Sequence, residues 1–244
     1  MPSWITIFRR ELADYFYTPI AYVFLVIFLV SSSVLTIYVG GLLEREQADL
    51  LPFFSFHPWL YLVLAPALGM RLWAEERKTG TIQTLLTLPV STLSAAFGKF
   101  LASWVFAGCA LILTFPIWLT VNFLGNPDNG VIWAGYLASF LMVGGFLAVS
   151  SCMSALTQNQ VVAFVLGVLV NLFLILGEFV IVKELLSPVL PQVLIETIVN
   201  LSYLTHFGEM SKGVISLDNI VFFLSVLVLF VYLTVVAVDS KRSG

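Results

Sequence analysis

Four consecutive charged side chains, Glu75, Glu76, Arg77 and Lys78, stand in a chain of 244 residues that is 60% hydrophobic and only 10% charged. Such a block can pair with opposite charges on a soluble partner, or it can serve as a solvated loop that anchors two helix ends. Few other residues invite chemistry. Glu178 lies in an apolar stretch, where a carboxylate is expensive and is a pathway candidate by default, although Lys183 is close enough for an ordinary boundary pair. Asn122 and Asn171 read first as hydrogen-bonding links between helices and second as substrate-pathway residues. His57 and His206 are far apart with no clustered partner, so no metal site is expected. Cys109 and Cys152 fall in apolar runs and read as soft packing residues. No GxxxxGK[ST] phosphate-binding loop is present, no filter-like stretch or charge ring marks a channel, and no convergent acid and base mark an enzyme.

The elements that must hold these residues follow from composition. A soluble domain is roughly half apolar and about a quarter charged, whereas this chain has long uncharged runs such as Ile20 to Leu43 and Asn129 to Gly177. Lipid is the solvent such runs require, and about 20 apolar residues cross it as a helix. The expected fold is an all-α integral membrane domain over residues 1–244, with six spans at about 20–43, 54–74, 97–123, 131–155, 161–182 and 219–238. The runs are continuous rather than alternating, which excludes a barrel. The first run is too long, and lacks the cleavage pattern, for a signal peptide. With six spans, eight of the eleven lysines and arginines share one face with both termini, which makes that face cytoplasmic.

Local patterns refine this outline. Trp4, Ile5, Phe8, Leu12, Tyr15 and Phe16 recur at helical spacing, opposite Thr6, Arg9, Arg10 and Asp14. They predict an amphipathic interfacial helix over about 3–18, with Pro19 turning the chain into the membrane; a plain extension of the first span is the alternative. The second span should end near Trp73 at the headgroups, with Glu75 to Lys78 entering water and Gly80 turning the backbone. Ile82, Leu85 and Leu86 predict a short amphipathic helix stopped by Pro89, and Ser91 or Thr92 should cap the third span. Thr157, Gln158, Asn159 and Gln160 form the next polar turn on that face. Between Lys183 and Asp218 the chain is too interrupted to span, so short re-entrant helices packed on other spans are expected, with Asp218 as N-cap of the last helix.

The stretch ERKTGTIQTLLTLPVS, followed by Lys99 in FGKF, resembles the acidic-residue, Arg, Gly-Thr, Leu-Leu, Pro signature of ABC type-2 permeases, the membrane subunits of one class of ATP-binding-cassette exporters. The similarity extends over the whole chain, and within the family the chain is most similar to the small permeases of gliding-motility and copper-enzyme-maturation systems. The resemblance implies a coupling helix between spans two and three that fits a cleft on a separate ATPase subunit. Glu75, Glu76, Arg77 and Gly80 would be its contacts, and Leu85 and Leu86 would pack it. Gln158 and Asn159 would form a second, slighter contact, because their turn is very short. It further implies that ATP and Mg are bound by the ATPase, with no cofactor in this chain. A second permease copy or a related permease, membrane lipid and an auxiliary extracytoplasmic subunit are the other expected partners, with no nucleic acid. The expected function is export coupled to ATP hydrolysis in the inner membrane; relay of cytosolic work to an extracytoplasmic partner without transport is the alternative.

Overall fold

In lipid each backbone N–H and C=O must be satisfied within its own segment, and the uncharged runs accordingly form helices. The computed structural model describes residues 3–45, 47–81, 90–177, 179 and 191–240, without the side chains of Ile20, Leu194 and Ile198. The helices are α1 (Ser3–Tyr17), α2 (Pro19–Val34, continued by a π-helical turn, Leu35–Val39), α3 (Leu51–Gly69), α4 (Arg71–Thr79), α5 (Thr92–Ile112) and α6 (Phe115–Leu124). They are followed by α7 (Asn129–Leu156), α8 (Gln160–Leu176), α9 (Gln192–Asn200), α10 (Tyr203–Ser211) and α11 (Leu217–Ser240). No strand occurs among the described residues.

Five stretches are long and apolar enough to cross a membrane: Ala21–Val39, Leu51–Thr79, Thr92–Leu124, Asn129–Leu156 and Leu217–Ser240. The fold is that of an all-α, multi-pass membrane protein. The expected span over 161–182 appears as α8, an apolar helix of 17 residues. Residues 178 and 180–190, which include Glu178, Lys183 and Pro188, lie outside the described residues.

The bundle is built around α7, which packs against α3, α4, α5, α8, α10 and α11. Its Met142, Phe146, Leu147 and Val149 are fully buried. Contacts fix the directions. Gly135 lies against Phe54, and Gly69 against Ser150, so α3 runs parallel to α7. Trp104 donates to the carbonyl of Phe140 at 2.8 Å, and Trp118 donates to Asn129 Oδ1 at 2.8 Å, so α5 and α6 run antiparallel to it. Small residues make the α3–α7 approach possible: a methyl group added at Gly135 would sit 2.4 Å from the Phe54 ring, and one at Gly69 would sit 2.5 Å from Ser150 Cβ.

The long stretches are jointed. Between α3 and α4, at Met70, the hydroxyl of Ser154 on α7 accepts from the N–H groups of Trp73 (3.1 Å) and Ala74 (3.0 Å) and donates to the carbonyl of Met70 (2.8 Å). A side chain inserted in this way is a recognised cause of helix bending. Between α5 and α6, Thr114 Oγ1 donates to the Leu111 carbonyl at 2.6 Å, with Pro116 beginning the next turn.

Several expectations need correction. The helix does not end near Trp73 but continues to Thr79, and the Trp73 side chain is fully buried, its indole donating to Ser151 Oγ at 3.2 Å. The serine runs of α7 hold it there, which composition does not reveal. Asp218 lies inside the first turn of α11; the cap is Ser216, whose hydroxyl accepts from the N–H of Asn219 at 3.3 Å. Ser91, rather than Thr92, caps α5. The helix expected near the N-terminus forms, but part of its apolar face meets protein: Trp4 packs edge-on against Phe97, and Tyr15 stacks on Phe106 at 4.9 Å. The short helices before the last span also form, and α10 buries Tyr203, Phe207 and Met210 against the core.

Candidate functional site

Helix α4 carries the charged block, and helical geometry sends the four side chains in different directions. Glu75 pairs with Arg71 one turn back, 2.8 Å away, and keeps 42% of its side-chain surface exposed. Lys78 is exposed. Glu76 turns inward to Lys99 on α5, with Oε1 2.8 Å from Nζ. Arg77 reaches the last helix, its guanidinium donating to the carbonyl of Ala237 at 3.3 Å. Gly80 ends the helix in the left-handed region at φ 75°, its N–H bonded to the carbonyl of Arg77. Glycine occupies that region without the steric cost other residues meet.

Lys99 is the centre of an ion cluster that sequence reasoning missed. It is 2% exposed, lies 2.9 Å from Glu11 Oε1 as well as 2.8 Å from Glu76, and sits 5.6 Å over the Trp73 ring. Arg10 lies 2.5 Å from Glu11 and 3.6 Å from Glu76. Two cations and two carboxylates leave the group electrically balanced, the condition under which a buried charge is tolerated. Burial pushes the Glu11 carboxyl up, but Lys99 and Arg10 outweigh it and hold the group below its ordinary value. The hydrogen bond to Glu11 is the main reason that the Arg10 guanidinium is held above its own. Two signals pointed here. Lys99 is the one charged residue between Lys78 and Asp128, and Glu11 lies one turn from both Ile7 and Tyr15, on the side of α1 that packs.

The remaining candidates are scattered. Gln158 is exposed, and Asn159 caps α8 by accepting from the N–H of Val161 at 2.9 Å. Both lie at the end of the bundle that holds the α4 terminus. Leu85 and Leu86 lie outside the described residues, as does Glu178. Asn171 is fully buried between α8 and α7, donating to the Phe146 carbonyl and Ser150 Oγ at 3.3 Å each. Asn122 lies at the opposite end, bonded to Trp118 and Asn129. The two asparagines do not share a site.

Among the described residues, no group of three or more His, Cys, Asp or Glu could hold a metal ion. His57 is buried among Phe28, Phe53, Phe54 and Tyr61, and is hydrogen-bonded to Ser139 at 2.7 Å. His206 stacks on Phe222 and bonds Asn219 and the carbonyl of Asn200. Cys109 and Cys152 are free thiols. What this arrangement offers is a charged helix end tied to four other helices.

No protein-family model matches the chain, and no curated protein matches it in sequence.

Proposed function

We propose that this chain is the membrane-spanning permease subunit of an ATP-binding-cassette exporter, with ATP and Mg bound and hydrolysed on a separate subunit. A second permease copy or a related permease completes the transporter, which sits in the inner membrane with both termini cytoplasmic. The observation that supports this reading is the division of labour on α4. Glu75 and Lys78 face outward, where a soluble partner can reach them, while Glu76, Arg77 and Trp73 tie the same helix to α1, α5, α11 and α7. A displacement applied at the exposed edge is conveyed to all of them at once. The motif beginning at Glu76 and Arg77 supplies the identity of the partner in this reading, and the lack of a phosphate-binding loop in this chain agrees with it.

The test is co-expression with the phosphate-binding-loop ATPases of the source organism. The chain alone hydrolyses no ATP, and a specific ATPase co-purifies with it. Glu75→Lys and Gly80→Pro leave membrane abundance unchanged and lower co-purification or coupled turnover about tenfold or more, since truncating one side of a buried interfacial charge pair costs on the order of 2–5 kcal/mol. Wild-type behaviour of both variants overturns the reading.

A further inference from the structure

A cleft of about 410 Å³ opens between α1, the start of α2 and the α3–α4 joint. Its size is within the range of small-ligand sites, about 300–1,000 Å³. Its lining is divided. Arg10, Asp14, Arg71 and Glu75 stand on the polar side, while Ala21, Phe24, Ala67 and Leu68 line the apolar side. Phe24 and Leu68 also border a separate apolar recess of about 30 Å³ between α2, α3 and α5, too small for more than a methyl or two. The cleft therefore has one charged wall and one apolar wall.

The polar side has unspent capacity. Lys99 also borders the cleft, but Glu11 and Glu76 occupy it. Arg71 uses its Nε on Glu75, and its two terminal nitrogens make no hydrogen bond among the described residues. The Asp14 carboxylate lines the cleft and takes part in no hydrogen bond or ion pair among the described residues. Three cations and four carboxylates line the cleft. A bare anion meets too many carboxylates there, and a bare cation meets two guanidinium groups. A zwitterion satisfies both.

We propose that this cleft is a binding site for a phospholipid with a zwitterionic, primary-amine headgroup of the phosphatidylethanolamine type. Its phosphate takes the charge-assisted hydrogen bonds of Arg10 and Arg71, and its ammonium donates to Asp14 and Glu75. One acyl chain lies along Ala21, Phe24 and Leu68 on the apolar side of the cleft. A primary ammonium is required because a quaternary one has no N–H to donate to the carboxylates. The site needs only that the chain sits in a bilayer; it shares Glu75 with the proposed partner contact, and Asp14, which that contact does not use, distinguishes the two.

The experiment uses the full chain, solubilised, delipidated, and then equilibrated with mixed micelles holding equal amounts of dioleoyl phosphatidylethanolamine, phosphatidylcholine and phosphatidylglycerol. Lipid remaining on the protein is counted by native mass spectrometry. Phosphatidylethanolamine is retained at about one per chain and enriched about tenfold over each of the others, the factor expected from one or two charge-assisted hydrogen bonds. Asp14→Asn, a near-isosteric change at an exposed position, removes most of that enrichment while leaving the thermal midpoint unchanged. Arg71→Gln lowers retention of all phospholipids at this site. Glycerophosphoethanolamine, which lacks the chains, does not compete at equal concentration. Equal retention of the three lipids, unaltered selectivity in Asp14→Asn, or full competition by the chainless headgroup overturns the proposal.

Discussion

Lys99 Nζ lies 2.8 Å from Glu76 Oε1, joining the first turns of α5 to the middle of α4 across 23 residues of chain. Removing the lysine leaves Glu11 and Glu76 facing each other with Arg10 alone between them. Lys99→Met should therefore destabilise the protein by about 3–5 kcal/mol, the usual result of breaking a buried pair from one side. The double variant Lys99→Met, Glu76→Gln restores the balance with Arg10 and Glu11 and should recover part of the loss. Thermal midpoints in one detergent, arranged as a double-mutant cycle, measure the coupling.

Glu11 gives this cluster a pH dependence. Its folded value is lowered from an ordinary 4.5, so its contribution is fully present above about that pH and is lost as pH falls through the lower folded value. Between pH 8 and 5 the Glu11 contribution should stay constant. Below pH 4.5 the wild-type midpoint should fall more steeply than that of Glu11→Gln, which is less stable at neutral pH. Parallel midpoint curves for the two proteins would contradict this.

Ser154→Ala should cost more than its size suggests. Two buried N–H groups and one carbonyl at the Met70 joint lose a partner together, and an unsatisfied buried group costs about 1–3 kcal/mol. We expect a loss of about 2–4 kcal/mol, and faster amide exchange at Trp73 and Ala74. Ser154→Thr keeps the hydroxyl and should lose less.

Gly135→Leu should separate α3 from α7, because even a methyl group there comes within 2.4 Å of the Phe54 ring. Overpacking of this kind costs about 1–3 kcal/mol. Adding Phe54→Ala makes room for the new side chain, so the double variant should be more stable than the two single losses added together. Thermal midpoints of the three proteins decide it.

The positions of the crossing helices were legible in the sequence because charge is excluded from them. The expected spans 54–74, 97–123, 131–155 and 219–238 each lie inside an observed stretch. What was hidden is lateral. A charge in sequence does not say whether its side chain meets water or another charge, so Glu76 read as a surface contact although it faces Lys99. The serines of α7 drew no reading from sequence, yet Ser151 and Ser154 hold Trp73 and the α3–α4 joint. The capping of α11 went to Ser216 rather than Asp218 because the helix begins one residue before the acid. The directions of the four charges on α4 and the helix's extension past Trp73 needed coordinates; the turn at Gly80 did not.

The link between Glu11 and Lys99 spans 88 residues of sequence, and that separation has a consequence in time. A ribosome adds about 5–20 residues per second, so about 4–18 s pass after Glu11 is made before Lys99 exists. During that interval α1 has neither the lysine nor the aromatic surface of α5 against which it finally rests. Arg10, the immediate neighbour of Glu11, is the counter-charge already present. Helix α1 is thus seated only after α2, α3 and α4 have been made and α5 has emerged.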